Sequence, residues 1–208
     1  MLKIILGILI SYLIGACPTA YLFGKWLKKI DIREHGSGNM GATNAFRVLG
    51  KVPGTIVLVL DIVKGIIPTT IVGDFLGLDR MILRVILGLS VVCGHNWTVF
   101  LGFKGGKGIA TSLGVLIGLT IEIPGLRPVL LICLGTWIVL FLITGFVSLS
   151  SIVATVMLPL GAVVTNQPFE MVAMGVIFCI FVIVRHKANI KRLLFGKESR
   201  SNWPFQRG

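Results

Sequence analysis

The chain has 208 residues, of which 55% are hydrophobic and only 13% are charged, and its mean hydropathy is +0.95. These values exclude an ordinary soluble domain and indicate an integral membrane protein. The formal charge of +12 would also suit a nucleic-acid-binding protein, but in a membrane chain the distribution of Lys and Arg among the loops is more informative than their total, and we expect no nucleic acid partner.

A membrane-spanning helix needs about 20 mostly apolar residues. Seven apolar stretches approach or reach that length, although two are short: 4–24, 53–73, 82–100, 109–123, 129–147, 151–165 and 169–184. We therefore expect an all-α integral membrane protein, a bundle of about seven transmembrane helices that forms a single polytopic domain over residues 1–208.

The positive charges predict the orientation of this bundle. When the loops are assigned alternately to the two sides, fifteen of the twenty Lys and Arg residues, Arg33 among them, fall on one side, seven of them after residue 184. That side should be cytoplasmic by the positive-inside rule. The other side receives Lys3, Arg80, Arg84 and Arg127 along with Asp74, Asp79, Glu122 and Glu170. The N-terminus is then outside and the C-terminus is cytoplasmic.

The first stretch, residues 1–24, contains Ile14-Gly15-Ala16-Cys17, which is similar to a lipoprotein cleavage site. Because the apolar run continues and Pro18 follows the cysteine, we expect a retained first helix. All the cysteines lie in apolar stretches without metal-site or redox spacing, and we interpret them as small core residues; they are Cys17, Cys93, Cys133 and Cys179.

The first polar loop reads "HGSGNMGATNAFRVLG" at 35–50. It contains G-x-G-x-x-G, but a dinucleotide site needs a preceding strand, and here a membrane helix and a charged stretch precede it. Closely spaced glycines can still turn backbone N–H groups toward an anion, and Arg47 could bind a phosphate with two hydrogen bonds. Four side chains could add donors: Ser37, Asn39, Thr43 and Asn44. A tight turn with a topological arginine is the simpler alternative.

The second stretch carries two charged residues, Asp61 and Lys64, in "LVLDIVKGIIP". Ionisable residues inside a membrane usually face the bundle interior and find partners. A mutual pair along the helix is the simplest interpretation, and support of the loops from beneath is a second one.

The second polar loop, 101–111, follows His95 and, with its approach, reads "GHNWTVFLGFKGGKGIAT" at 94–111. It is not a Walker A loop, because Lys107 is followed by Gly108 instead of Ser or Thr. Lys104 and Lys107 flank Gly105-Gly106, and an apolar helix begins near Ile109. Both the ammonium groups and the helix N-terminus favour an anion here.

The third polar segment is "RHKANIKRLLFGKES" at 185–199, after the last apolar stretch. Topology and attraction to anionic lipid explain much of its charge. His186 and Asn189, three residues apart on one expected helical face, are harder to explain in that way. The connection 148–151, "SLSS", adds hydroxyl groups on the same side.

These segments together resemble the bacterial acyl-phosphate:glycerol-3-phosphate acyltransferase family, PlsY. The resemblance covers nearly the whole chain and is carried by "SGNMGATNAFR" at 37–47, "DIVKG" at 61–65, the loop at 94–111, "VSLSS" at 147–151 and "RHKANIKRLLFGKE" at 185–198. The H-x-x-x-x-D pair of the acyl-CoA-dependent glycerolipid acyltransferases does not occur after His35, His95 or His186.

The resemblance implies transfer of a fatty acyl group from acyl phosphate to the 1-hydroxyl of sn-glycerol 3-phosphate, the first step of phospholipid biosynthesis, at the cytoplasmic face of the bacterial inner membrane. It implies catalytic roles for Ser37, Arg47, Lys107, His186 and Asn189. Substrate-binding roles are implied or expected for Gly38, Asn39, Gly41, Thr43, Asn44, Lys104, Gly105, Gly106, Gly108 and Ser148 or Ser151.

We expect no cofactor and no metal, because the carboxylates near the proposed site are few and scattered for an oxygen-ligand cage. Membrane lipid and a membrane-associated enzyme that generates acyl phosphate are the expected partners. An organic-phosphate transporter is the main alternative, although transporter sites usually lie near the bilayer midplane within repeated halves.

Overall fold

The computed structural model describes residues 1–201, and its regular structure there is entirely helical. Arg207, one of the tail cations counted above, and the last seven positions of the expected domain lie outside the described residues. The expectation of an all-helical membrane protein is confirmed. Within residues 1–201, five helical segments are long and apolar enough to cross a membrane, or six if a bent pair counts as one.

The chain divides into two compact units, Met1–Pro124 and Gly125–Gly208. The helices of the first unit are α1 (Leu2–Ala16), α2 (Thr19–Lys28), α3 (Ala42–Leu49), α4 (Lys51–Ile67), α5 (Gly73–Leu76), α6 (Met81–Asn96) and α7 (Ile109–Glu122). A π-helical turn, Pro68–Val72, joins α4 to α5, and 3₁₀ turns lie at Ile32–Glu34 and Val99–Leu101.

The expected first helix is present as one helical segment long enough to cross a membrane, Leu2–Lys28, but it is not continuous. The helix ends at Ala16 and restarts at Thr19, because Pro18 has no N–H to continue the ladder and restricts the residue before it. The interpretation of the cysteines as core residues is wrong for Cys17, which is exposed at this break, whereas Cys133 is buried.

Two helix pairs in the first unit pack backbone against backbone. In the α1–α6 pair, an added methyl group at Gly15 or Gly94 would overlap the main chain of the partner helix. Gly65 and Gly114 have the same role in the α4–α7 pair. Small residues let membrane helices approach closely where hydrophobic burial gives no driving force, and these contacts fix the helix ends that carry the polar loops.

The second unit contains α8 (Arg127–Thr144), α9 (Val147–Val164), α10 (Phe169–Arg185) and α11 (Lys187–Leu194). α9 packs against both α8 and α10. Gly145, with φ of +72°, permits the sharp turn from α8 into α9. Between α10 and α11 the chain bends by 66°, so the third polar segment does not continue the last long helix.

Candidate active site

The first polar loop is folded around the side chain of Asn44, which is almost completely buried. Its Oδ1 accepts from the Ser37 amide at 2.8 Å, and its Nδ2 donates to the carbonyl oxygens of Ile32 and His35 at 3.2 and 3.0 Å. Gly36 and Gly38 have φ of +62° and +70°, which favours glycine. Asn44 is expected to contact substrate, but the polar atoms of its side chain are hydrogen-bonded to the loop backbone.

Beneath this loop, a small apolar core joins α2, the first 3₁₀ turn, α3 and α4. Its buried members are Ala20, Ile32, Met40, Ala45, Leu49 and Val57. The loop residue Ser37 and the α3 residues Thr43 and Arg47 remain exposed. Thr43 and Arg47 are four residues apart on α3, so they lie on one face of that helix.

The second polar loop turns back onto the end of α6. The Phe103 amide donates to the Thr98 carbonyl oxygen at 2.8 Å, and the Gly106 amide donates to the His95 carbonyl oxygen at 3.0 Å. Gly108, with φ of +78°, leads directly into the first turn of α7. Lys104 is exposed and Lys107 is half-buried, so the loop presents ammonium groups beside a helix N-terminus, as expected for an anion site.

The two glycine-rich loops meet at one cavity. It has a volume of about 380 Å³ and is lined by Asp31, Arg33, Glu34, Gly38, Met40, Lys104 and Gly105. The structure thus brings together Gly38 of the first loop and Lys104 and Gly105 of the second, which are more than 60 positions apart in the sequence.

Asp31 and Arg33 line this cavity but were not singled out in the sequence. The Asp31 carboxylate accepts from Arg33 Nη2 at 2.6 Å and from Arg33 Nε at 2.9 Å. The hydrogen bond from this side chain is the main reason why the pKa of Asp31 falls from 3.8 to about 2. A charged pair beside the glycine loop is the signal in the sequence, whereas the charge pattern alone treats Arg33 as a topological charge.

In the second unit, Ser148 and Asn189 are held by a shared carboxylate. Ser148 Oγ donates to Glu198 Oε1 at 2.7 Å and Asn189 Nδ2 donates to the same oxygen at 2.6 Å. Arg192 Nε donates to Glu198 Oε2 at 2.7 Å. Burial acts to raise the pKa of Glu198, but the hydrogen bonds from Ser148, Asn189 and Arg192 outweigh it and keep this pKa below its ordinary value.

Glu198 lies in the third motif and has no role predicted from the sequence, although an acidic residue in a basic tail is a usable signal. The structure also separates the two candidate serines. Ser148 and Asn189 are joined by their hydrogen bonds to Glu198. Ser151 Oγ instead donates to the Val147 carbonyl oxygen and accepts from Trp137 Nε1 at 3.1 Å.

His186 is buried at the bend between α10 and α11. It therefore precedes the helix that carries Asn189 instead of sharing a continuous helical face with it. His186 Nδ1 donates to the Val182 carbonyl oxygen at 2.8 Å. In a neutral imidazole with hydrogen on Nδ1, Nε2 is the acceptor nitrogen.

Comparison with known proteins agrees with these features. The family model described as glycerol-3-phosphate acyltransferase matches residues 5–196. The glycerol-3-phosphate acyltransferase of Synechococcus sp. (strain CC9902) is 41% identical over 200 residues, which is 96% of each chain.

Two solved structures of PlsY (YgiH), an integral membrane glycerol 3-phosphate acyltransferase, are also similar. The glycerol 3-phosphate form has a TM-score of 0.86 and 38% identity, and the match covers 98% of this chain and 99% of that one. The lysophosphatidic acid form has a TM-score of 0.81 and 39% identity, with coverage of 95% and 94%. The chain therefore belongs to the glycerol-3-phosphate acyltransferase family and is an acyltransferase enzyme of the membrane.

Proposed function

We propose that this enzyme transfers a fatty acyl group from acyl phosphate to the 1-hydroxyl of sn-glycerol 3-phosphate and releases 1-acylglycerol 3-phosphate (lysophosphatidic acid) and inorganic phosphate. The meeting of the two glycine-rich loops at one cavity, which places Gly38 beside Lys104 and Gly105, is the observation that carries this proposal, and Ser37, Arg47 and Lys107 lie outside the lining of that cavity. Both substrates bear phosphate groups, and bringing them together in a partly desolvated site opposes two clusters of negative charge. Cations and backbone N–H groups are therefore the first requirement of such a site.

Ser37, Arg47 and Lys107 are proposed to hold phosphate, with Lys104 nearby and the glycine loops supplying N–H groups. This assignment follows the family motifs at these positions and is supported by the chemistry of the loops. Arg47 can form two parallel hydrogen bonds to a phosphate, whereas a lysine ammonium acts as a compact point charge.

Ser148, His186 and Asn189 are proposed to orient the glycerol hydroxyl groups. The hydrogen bonds to Glu198 support Ser148 over Ser151 for this role, because Ser148 and Asn189 share one carboxylate oxygen. A side chain that is already oriented by a partner loses less rotational freedom when it binds substrate.

Direct attack is the economical mechanism. The 1-hydroxyl oxygen attacks the acyl carbonyl carbon, a new ester C–O bond forms, and the bond from that carbon to the phosphate oxygen breaks. Phosphate is a good leaving group, so no protein nucleophile is needed. We propose that the departing phosphate takes the hydroxyl proton, while the protein contributes positioning and electrostatic stabilisation.

His186 is the alternative proton acceptor, since its Nδ1 donates to a carbonyl and its Nε2 is then the basic nitrogen. Substitution of His186 by Ala separates these mechanisms. A weaker affinity for glycerol 3-phosphate together with slower turnover fits an orienting role. An unchanged Michaelis constant with loss of one limb of the pH–rate profile fits a general base.

The proposed setting is the bacterial inner membrane, with the N-terminus outside and the active site toward the cytoplasm. We propose one polytopic domain with seven spans, in which the 14-residue α7 and the 17-residue α10 join the five longer segments. Arg84, assigned by charge to the outer side, is within 4 Å of Asp74, Asp79 and Glu122, which supports the same assignment for all four.

The acyl chain would lie in an apolar groove open to lipid, and a membrane-associated enzyme would supply the labile acyl phosphate.

The test uses purified protein in lipid with palmitoyl phosphate and glycerol 3-phosphate, and follows inorganic phosphate and lysophosphatidic acid together. Equal appearance of both products is expected, with loss in Arg47→Ala and in Lys107→Ala. Lys51→Ala, which removes an exposed cation outside the motifs, is the matched control and should retain activity. A folded protein that binds glycerol 3-phosphate but forms no product would overturn the proposal and favour transport.

A further inference from the structure

A buried polar cluster lies beneath the second glycine loop, within the first unit. Its members are Thr19, Asp61, Lys64 and His95, each no more than 8% exposed. Asp61 Oδ1 accepts from Lys64 Nζ and from Thr19 Oγ1, both at 2.7 Å. His95 Nδ1 lies 3.8 Å from the same oxygen. One carboxylate thus faces side chains from α2, α4 and α6.

This Asp61 cluster is an unexpected way to stabilise a membrane helix bundle. Removing two charges from water is unfavourable, and replacing a buried ion pair with apolar residues of similar volume is often neutral or stabilising. The glycine contacts of α4 with α7 already allow close packing there. The burial of these charges therefore indicates a role besides holding the helices together.

The cluster reaches the glycine loop through His95. A methyl group at Gly106 would overlap His95 Nε2, and one at Gly105 would overlap the His95 carbonyl oxygen. The Gly106 amide donates to that carbonyl oxygen at 3.0 Å. Both the ring and the backbone of His95 therefore limit where Gly105 and Gly106 can lie.

A small cavity of about 10 Å³ extends along the same contact. Its lining includes Cys17, Lys64, His95 and Gly106. Lys64 Nζ also donates to the Cys17 carbonyl oxygen at 3.2 Å, at the break between α1 and α2. The Asp61 cluster is thus continuous from the broken first helix to the loop that carries Lys104 and Lys107.

We propose that His95, whose ring lies beside Asp61, is a positioning residue. Its imidazole sets the Gly105–Gly106 backbone, and with it Lys104 and Lys107, in the conformation that binds a phosphate group. This inference rests on the proposed anion site of the second loop. Glycine-rich backbone has many accessible conformations, so a rigid support from below is what makes its N–H groups and ammonium groups preorganised donors. His95 acts through the loop and does not itself contact substrate.

The first experiment compares wild type, His95→Ala and His95→Gln in lipid. The Michaelis constant is measured for glycerol 3-phosphate at saturating palmitoyl phosphate and for palmitoyl phosphate at saturating glycerol 3-phosphate. In His95→Ala, we expect one of the two constants to rise roughly 10- to 100-fold, as for a misplaced binding group, with a smaller change in kcat. The constant that rises identifies which phosphate the loop holds.

His95→Gln keeps a polar group near Gly106 and should recover part of the lost affinity. Ser90→Ala is the matched control, because Ser90 lies on the same helix and bonds only to the Ile86 carbonyl oxygen at 2.8 Å among the described contacts. Its two Michaelis constants should equal those of wild type. Unchanged constants in a folded, active His95→Ala enzyme would overturn the inference.

A second experiment tests whether Asp61 acts through His95. In an Asp61→Asn/Lys64→Met chain, which removes the two charges together, the affected constant should also rise. Adding His95→Ala to that chain should then change it by less than about twofold, since residues that act through one another are not additive. Independent, multiplied effects would show that the cluster and His95 act separately and would contradict the proposal.

Equilibrium dialysis with inorganic phosphate gives a readout that does not depend on turnover. Wild type should bind phosphate more tightly than His95→Ala. If wild type binds phosphate and His95→Ala binds it less tightly, but no acyl transfer occurs, the proposed reaction fails while the positioning role stands. If both bind phosphate equally, the positioning role fails whatever the reaction.

Discussion

Asp61 and Arg84 are both buried charged residues of the first unit, but their surroundings differ. Asp61 is enclosed, with Lys64 as its counter-charge and His95 beside it. Arg84 lies eleven residues before His95 on α6, roughly 16 Å along the helix at 1.5 Å per residue. Its guanidinium contacts Asp74, which is 60% exposed, and Asp79, which is 83% exposed.

The second group also uses backbone oxygen atoms. Arg84 Nη1 donates to the Thr69 carbonyl oxygen at 2.7 Å and to that of Thr70 at 3.4 Å. Both belong to the π-helical turn, where the helix ladder is altered. The comparison shows two uses of buried charge. Arg84 stabilises an irregular turn, and its carboxylate partners are accessible to water. The Asp61 cluster is buried and lies against the second glycine loop.

The largest expected effect comes from Asp61→Ala, because it leaves the Lys64 ammonium buried without its counter-charge. Removing one partner of a buried pair typically costs about 3–5 kcal/mol. The free energy of unfolding in detergent micelles measures this loss. Asp61→Leu/Lys64→Met should recover most of the lost stability. Equal stability of the single and double variants would show that the Lys64 ammonium does not need Asp61 as its counter-charge.

Arg84→Met should have a smaller effect on stability, roughly 1–3 kcal/mol, which is typical for carbonyl groups that lose a donor. The carboxylates of Asp74 and Asp79 remain solvated after the change, so no isolated buried charge is created. Thermal unfolding measures the loss, and the Michaelis constants for both substrates should be unchanged. A rise in either constant would contradict the division between a structural and a functional charge cluster.

Glu198→Gln extends the comparison to the second unit and should cost about 1–2 kcal/mol, as for the loss of charged hydrogen bonds. The folded pKa of Glu198 is lowered, so its contribution is complete above the ordinary value of 4.5 and is lost as pH falls through the folded pKa. Unfolding measured from neutral to acidic pH should show a drop in that range in wild type. A drop of the same size in Glu198→Gln would show that other groups cause this loss of stability at acidic pH.

The smallest effect is expected for Asp31→Asn, because the Asp31–Arg33 pair is partly exposed, with Arg33 at 35%. Such pairs contribute at most about 1 kcal/mol. The pKa of Asp31 is about 2 against an ordinary 3.8, so its contribution is complete above 3.8 and is lost as pH falls toward 2. Unfolding at neutral pH should show little change, and a loss as large as that of Asp61→Ala would contradict the ranking.

The sequence predicted the parts of the fold that depend on local pattern. Each of the seven apolar stretches contains a helix in the structure, and the mutual pairing of Asp61 and Lys64, three residues apart, is confirmed at 2.7 Å. The family resemblance is also confirmed. Charge spacing along a helix and long motifs in a fixed order are both readable from one chain.

The contacts that the sequence did not predict are mostly long-range. Glu198 and Ser148 are 50 residues apart, and nothing in either segment indicates the pairing. The charge pattern predicts Arg84 as a loop charge on the outer side, although it is buried and contacts Glu122 from the end of α7. The break at Pro18 was readable in principle, but the apolar run across it favoured one continuous helix.

The glycine contacts between α1 and α6 and between α4 and α7 also limit how this enzyme can vary. A side chain at Gly15, Gly94, Gly65 or Gly114 would have to displace a neighbouring main chain, so these positions have almost no mutational tolerance. Exposed apolar positions on the same helices, such as Leu9 and Val59, can exchange one aliphatic side chain for another. A laboratory search for variants should therefore diversify the outward faces of α1 and α4 and keep these four glycines fixed.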